Sequence, residues 1–219
     1  MLVANSKPKV TLSAAITLDG KIGQKNKHIV LSSKADKIRV HKLRSKSDAI
    51  LVGKNTVEQD DPLLTVRYTK GKNPIRIILD SNGTIKNNSR IIKTCKRVPT
   101  IIVTSEIISK PNLNRLRKLP VDVIICGKNQ VNLTKLLPVL SKKGIKTVLL
   151  EGGGTLNRSF LKKNLIDEMI IALTPYVLGS KNTVSLFEGL SFPSLKIKFP
   201  LKLKNVQKNG NEIILNYKI

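Results

Sequence analysis

The sequence predicts an α/β fold: a mostly parallel, twisted sheet flanked by helices, with an antiparallel hairpin at its C-terminal end. Three observations predict it. Short apolar runs rich in Ile, Leu and Val alternate with helical stretches over most of the chain. Aromatic residues make up only 3% and there is no Trp, so the core is aliphatic, and Ile and Val favour strands. Toward the end the pattern changes to a period of two around Asn209-Gly210, as in a hairpin. A length of 219 residues suits a single domain spanning residues 1–219, with a core over about residues 9–218.

The elements follow in order. Val10–Ile16 reads as the first strand, and Thr17–Ser32 as a polar loop with the turn signal Asp19-Gly20. Ser33–Leu43 reads as a helix, with Ser33 as N-cap and Asp36 as the capping-box acid three residues on. Ala49–Val52 is a very apolar strand closed by Gly53. Ile75–Leu79 is the next, closed by the turn-rich Asp80-Ser81-Asn82-Gly83. Thr100–Val103 and Val121–Cys126 are further strands, with a basic helical stretch near Asn112–Lys118 between them. Leu133–Lys143 is a helix after Asn132, bent by Pro138. Thr147–Leu150 is a strand, followed by Glu151-Gly152-Gly153-Gly154-Thr155, a helix over Leu156–Lys163 and a strand over Glu168–Thr174. Leu195–Lys204 alternates apolar and basic residues like a half-exposed strand, and Asn209-Gly210 turns into Glu212–Tyr217.

Composition narrows the function. The chain carries 40 Lys+Arg against 14 Asp+Glu, a net charge of +26. Such a balance can serve phosphate neutralisation on nucleic acid. The lysines are spread along the whole chain, however, few aromatics are available to stack on bases, and no helix-turn-helix, zinc-finger or RNP signature is present. The charge therefore reads as solvated faces plus attraction for an anionic ligand, with a basic nucleic-acid-binding module as the competing class. No apolar run approaches a membrane span and no signal peptide opens the chain. Cys95 and Cys126 form no C-x-x-C pair; they read as buried free thiols, with no metal site, in a cytoplasmic protein.

The polar constellations lie at the ends of predicted strands, where open α/β sheets place their ligands. Thr56–Arg67, T-V-E-Q-D-D-P-L-L-T-V-R, gathers three of the scarce acids, Glu58, Asp60 and Asp61, ahead of Arg67. Asp61-Pro62 suits a turn, and an Asp60–Arg67 ion pair is an alternative to ligand binding. A catalytic carboxylate pair is disfavoured because adjacent loop residues point apart, and a zinc deaminase would need H-x-E and P-C-x-x-C, both absent. Glu151–Thr155 is either a tight strand-to-helix turn or a phosphate cradle at a helix N-terminus. Glu151 favours the cradle, since a carboxylate there has no simple packing role. Arg44, on the first helix with Arg39 and His41, either faces the helix dipole or binds phosphate bidentately. His28, in the polar loop, is either a surface residue or a phosphate contact.

Taken together, these motifs resemble one family. Ala14–Gly23 (A-A-I-T-L-D-G-K-I-G), Val40–Arg44 (V-H-K-L-R), Asp48–Arg67, Asn73–Ser81 (N-P-I-R-I-I-L-D-S), Glu151–Asn157 (E-G-G-G-T-L-N) and Asp167–Gly179 resemble the reductase domain of riboflavin biosynthesis. That domain is the C-terminal half of the bacterial bifunctional deaminase/reductase and stands alone in archaea and fungi. The resemblance covers about Val10 to Tyr217. It implies a dihydrofolate-reductase-like fold, a homodimer, and NADPH-dependent reduction of a ribosylamino-pyrimidine 5′-phosphate to its ribitylamino product, with NADH as a further donor. Carried onto this chain, it implies cofactor contacts from Ala14, Val30, Thr56, Asp60, Ser81, Asn82, Gly152, Gly153, Gly154, Thr155, Leu156 and Asn157. Substrate contacts fall to His28, Arg44, Leu64, Arg67 and Glu151. Asp60 and Glu151, or a water they hold, are the candidates for proton delivery to O4′ as the ribose ring opens. With no deaminase segment in the sequence, the expected substrate is the 2,5-diamino-pyrimidinone; the deaminated uracil phosphate and a pterin are the alternatives within the enzyme class.

Overall fold

A computed structural model describes residues 7–25, 27, 29–179, 181–191 and 199–219. His28, one of the expected substrate contacts, lies outside them. In chain order the elements are β1 (Lys9–Ile16), β2 (Lys21–Gln24), α1 (Lys34–Lys46), β3 (Ala49–Gly53), α2 (Lys54–Asp60), β4 (Ile75–Leu79), α3 (Arg90–Lys93), β5 (Thr100–Thr104) and α4 (Lys110–Arg117). Then come β6 (Asp122–Ile125), α5 (Leu133–Lys142), β7 (Thr147–Leu150), α6 (Gly154–Lys162), β8 (Glu168–Leu173), β9 (Thr183–Ser185), β10 (Lys202–Asn209) and β11 (Glu212–Lys218). The α/β class is as expected, with parallel strands preceding an antiparallel end.

The chain divides into two compact units. The first comprises His41–Leu149 with the segment up to Lys9, and the second Val10–Val40 with Leu150–Ile219. In the first, the strand order is β7-β3-β4-β5-β6, and the β3–β4, β4–β5 and β5–β6 pairs are parallel. A strand buried on both faces reads as a continuous apolar run, and β3 and β5 do so. Ile50, Val52, Ile78 and Ile102 pack with Val57, Leu64, Ile85, Ile91 and Leu116 in one aliphatic cluster. Each such side chain contributes about 1.5–3 kcal/mol on burial. Both cysteines are buried free thiols, as expected.

In the second unit the order is β10-β11-β8-β1. The β1–β8 pair is parallel and the β8–β11 and β10–β11 pairs are antiparallel. The hairpin pairs Asn209 with Glu212, so its turn residues are Gly210 and Asn211, one residue later than the sequence suggested; Gly210 takes the positive φ of 66°.

Several expectations change. The loop Thr17–Ser32 contains β2, paired antiparallel to β9. The strand expected over Leu195–Lys204 falls partly outside the described residues, and β10 starts at Lys202. α6 begins at Gly154, two residues before the expected Leu156. Ser33 does cap α1, its Oγ accepting from the Asp36 amide at 3.1 Å. Asp36 does not close a capping box, because its carboxylate pairs with Arg39 at 2.7 Å. The buried carboxylate of Glu212 takes that role, accepting from the Ser33 amide at 2.7 Å and its hydroxyl at 2.6 Å. A partner 179 positions away replaces one three positions away.

Candidate active site

In the first unit the candidate residues gather on a ledge beyond the carboxyl end of β3. The chain leaves β3 at Gly53 and enters the seven-residue α2, about two turns long, directly and with no side-chain N-cap. Thr56 is half-buried on that helix and Asp60, its last residue, is exposed. Asp61 ends α2 in the left-handed conformation, φ 38°, and Leu64 is left-handed as well, φ 52°. Both are costly for residues with a Cβ and persist only where surrounding contacts fix them. The contacts are present. Asp61 Oδ1 accepts from the Arg90 amide at 2.7 Å, and Val66 N donates to Asn73 Oδ1 at 2.8 Å. Leu64 is sunk in the aliphatic cluster, so any ligand contact it makes falls to its backbone.

The cations sit on the same ledge. Arg44, from the last turn of α1, is buried and donates to the Thr65 carbonyl at 3.1 Å. His41, one turn earlier and also buried, accepts the Arg67 amide on Nδ1 at 2.8 Å and stacks edge-on against Tyr68 with centroids 4.7 Å apart. Burial pulls the Arg67 guanidinium below its ordinary value, and the like charges of Arg44 and then Arg90 pull it further. A cation lowered by burial and by neighbouring cations suits an anion, since phosphate oxygens match guanidinium donors. His41, Tyr68 and Arg90 were not singled out as site residues from the sequence. A histidine and an arginine three positions apart on one helix share a face, which was the available signal for His41.

Ser81 and Asn82 follow β4 in the turn closed by the Gly83 amide on the Asp80 carbonyl. Ser81 Oγ accepts from the Val131 amide at 3.2 Å, and the exposed Asn82 gives its carbonyl to Asn112 Nδ2 at 3.0 Å.

In the second unit the glycine loop is shaped by what its residues lack. Gly153 is the N-cap of α6, and Gly154 and Thr155 open the helix with amides that have no carbonyl one turn back. A Cβ on Gly152 would stand 3.0 Å from Asn157 Oδ1 and from Leu156. One on Gly154 would strike the Ser185 carbonyl and the Glu188 backbone, which donates its amide to Gly154 O at 3.1 Å. Gly154 therefore answers to close chain packing. Leu156 is half-buried on the first turn of the helix, and its amide donates to Gly153 O at 3.0 Å. Asn157 is fully buried; its Nδ2 donates to the Leu186 carbonyl at 3.1 Å and its Oδ1 is buried with no partner. Glu151, just before the loop, is half-buried. Ala14, half-buried in β1, pairs with Ile171, and Val30 is exposed. Among the described residues no group of three or more His, Cys, Asp or Glu could hold a metal ion, and no helix is long and apolar enough to cross a membrane.

Comparisons with known proteins extend this picture. Residues 8–215 match the family described as the RibD C-terminal domain. The chain is 35% identical, over 97% of both chains, to a protein of Aquifex aeolicus named 2,5-diamino-6-ribosylamino-4(3H)-pyrimidinone 5′-phosphate reductase. It is 36% identical to the protein of that name from Methanothermobacter thermautotrophicus, over 97% of this chain and 99% of that one. Among solved structures, RibD of Acinetobacter baumannii superposes with a TM-score of 0.84 at 28% identity, covering 97% of this chain and 58% of that one. The architecture is thus dihydrofolate-reductase-like, shared with the reductase part of a longer protein.

Proposed function

Because the chain belongs to the RibD C-terminal domain family, we propose that it reduces the ribosyl group of 2,5-diamino-6-ribosylamino-4(3H)-pyrimidinone 5′-phosphate to the ribitylamino product, with NADPH as hydride donor. The observation that carries the reading is the arginine pair of the ledge. The Arg44 charge bears on the partly buried Arg67, and a sugar 5′-phosphate matches the donors of both guanidinium groups. The relatives that match end to end bear the name of the diamino-pyrimidinone reductase, which favours that substrate over the deaminated uracil phosphate and over a pterin, which brings no phosphate for the arginines.

The glycine loop fits a nicotinamide dinucleotide. Its unpaired helix-opening amides suit a pyrophosphate, and the orphaned Asn157 Oδ1 beside Gly152 is an acceptor awaiting a donor. Gly152–Asn157, Thr56, Asp60, Ser81, Asn82, Ala14 and Val30 are its proposed contacts. NADPH, when bound, supplies the hydride that reaches C1′ of the ring-opened sugar. The protein's own work is then to hold and orient. His41 fixes the ledge through the Arg67 amide, Arg44 and Arg67 clamp the phosphate, and Leu64 presents its backbone. Binding and orientation of this kind are what a protein contributes when the cofactor does the chemistry. Asp60 and Glu151 are the proposed proton carriers toward O4′. The two units act as one reductase domain, in a cytoplasmic homodimer.

The test is direct: mix the protein with NADPH and the diamino-pyrimidinone phosphate and follow absorbance at 340 nm. Decay with that substrate, and less with the deaminated phosphate, is expected. No decay with either would sink the reading, and full kcat in both Asp60→Asn and Glu151→Gln would remove the proton-transfer assignment.

A further inference from the structure

We propose that Arg76 is the positioning residue of the ledge, a buried guanidinium that fixes the path of Asp61–Arg67 and through it the placement of Arg67. Arg76 sits in the second position of β4 and is 0% exposed. That position lies in a strand buried among aliphatic residues, where Ile or Val would serve packing better. Every donor direction is nonetheless used. Nε donates to Thr100 Oγ1 at 3.0 Å. Nη1 donates to Thr94 Oγ1 at 2.8 Å and to the Leu63 carbonyl at 3.3 Å. Nη2 donates to the Ile91 and Val98 carbonyls at 2.9 and 3.1 Å and to Thr100 Oγ1 at 2.7 Å. All these acceptors are carbonyls and hydroxyls. Burial pulls the group down to about 10, so it keeps its charge at neutral pH.

Two routes lead from this guanidinium to the ledge. The direct one is the Leu63 carbonyl, between the left-handed Asp61 and Leu64. The second passes through α3. Arg76 holds Ile91 O and Thr94 Oγ1, Thr94 in turn donates to Arg90 O at 2.6 Å, and the Arg90 amide binds the Asp61 carboxylate at 2.7 Å. The same α3 brings the Arg90 charge that bears on Arg67. A guanidinium that only stabilised the core would be replaceable by an aliphatic side chain of similar volume. One that ties Leu63 directly and Asp61 through α3, at the start of the segment that leads to Arg67, is retained for its geometry.

The activity arm rests on the proposed reduction; a second arm does not. Arg76→Lys keeps a charge but loses the fork, and Arg76→Met removes both. In both variants the KM for the ribosylamino-pyrimidine phosphate is expected to rise about ten-fold or more, with the KM for NADPH within about two-fold, because small misplacements of a binding group are costly. Amide hydrogen exchange is measured alongside: residues 61–68 exchange faster in the variants, while β3 keeps its protection. Thr94→Val, which removes the one hydroxyl that accepts from Arg76 and donates to Arg90 O, shows the same split with smaller amplitude and serves if the Arg76 variants do not fold. Unchanged exchange over 61–68, or equal rises in both KM values, overturns the proposal. Should the wild-type protein fail to turn over the substrate, the functional reading falls, while the exchange of residues 61–68 still decides the role of Arg76.

Discussion

The ledge of the first unit and the glycine loop of the second reach a ligand-ready backbone by opposite means. The ledge is held by added polar atoms: Arg44, His41, Asn73, Arg76 and Arg90 each tie one residue between Asp61 and Arg67. The loop is defined by missing atoms, with Gly152 and Gly154 leaving room for Asn157 and for the Ser185–Glu188 segment. A network of hydrogen bonds weakens by degrees when one partner goes, since the other ties remain. A close approach fails at once when a methyl is inserted. The two regions should therefore respond differently to substitution.

The largest effect is expected at Gly154→Ala. The new Cβ would strike the Ser185 carbonyl and lie 3.0 Å from the Glu188 amide, both backbone and unable to rotate away. A loss of about 3 kcal/mol or more is expected, read as a lower urea midpoint at constant slope. A stability within about 0.5 kcal/mol of wild type would erase the contrast between the two regions. The ledge should behave in the opposite sense. Arg67→Ala leaves the fold intact and removes a charge-assisted contact of about 1.5–3 kcal/mol, a rise of ~10–100-fold in the KM for the phosphate substrate. A matching loss of thermal stability would mean that Arg67 is part of the frame and not of the site.

Between these lies His41→Phe. The ring is replaced, but the Arg67 and Tyr68 amides lose their acceptor. Leaving a buried donor unpaired costs about 1–3 kcal/mol, here divided between stability and substrate binding. Melting temperature and KM measured together should both move. A change in one alone would assign His41 wholly to frame or wholly to site.

The sequence was a good guide where structure is local or strongly periodic. The apolar runs of β3, β4 and β5, the cap Ser33 and the helix start after Asn132 lie where the residues placed them. It was silent where the deciding partner is distant or the element very short. Glu212 completes the cap of α1 from the far end of the chain, and no spacing rule reaches it. β9 has three residues and β2 four, too few for a period to register. α2 begins after Gly53 without a polar cap, so Thr56–Asp60 read as loop. Of the site, the candidate residues were legible as types near strand ends. Their ties were not, because Arg76 meets Leu63, Thr94 and Thr100 only after β4, α3 and β5 have assembled. The one mark it left is an arginine set between the isoleucines of N-P-I-R-I-I-L-D. Gly154 was legible as a glycine but not as a packing glycine, since its neighbour in space is Ser185.

Asp48 anchors a second polar network of the first unit, away from the ledge. It precedes β3, at the end of the strand away from the ledge, and clamps the start of β7. Its Oδ2 accepts from the Lys146 amide at 2.9 Å, the Thr147 amide at 2.8 Å and the Thr147 hydroxyl at 2.9 Å. Partial burial pushes the carboxyl up, but the bonds from Lys146 and Thr147 and the Lys146 charge together outweigh it and leave it below its ordinary 3.8. A depressed acid contributes stability above its unfolded value and loses it as pH falls through the folded one. Asp48→Asn should thus cost about 1 kcal/mol at neutral pH, the worth of a charge-assisted bond at an exposed position. That difference from wild type should narrow as pH falls below 3.8 and close once the wild-type carboxyl is protonated. Denaturation series at pH 7 and at low pH measure it, with substrate KM as the control. A KM that moves with Asp48 would mean that ties at both ends of the sheet set the ledge; an unchanged KM confines that role to the contacts gathered at its carboxyl end.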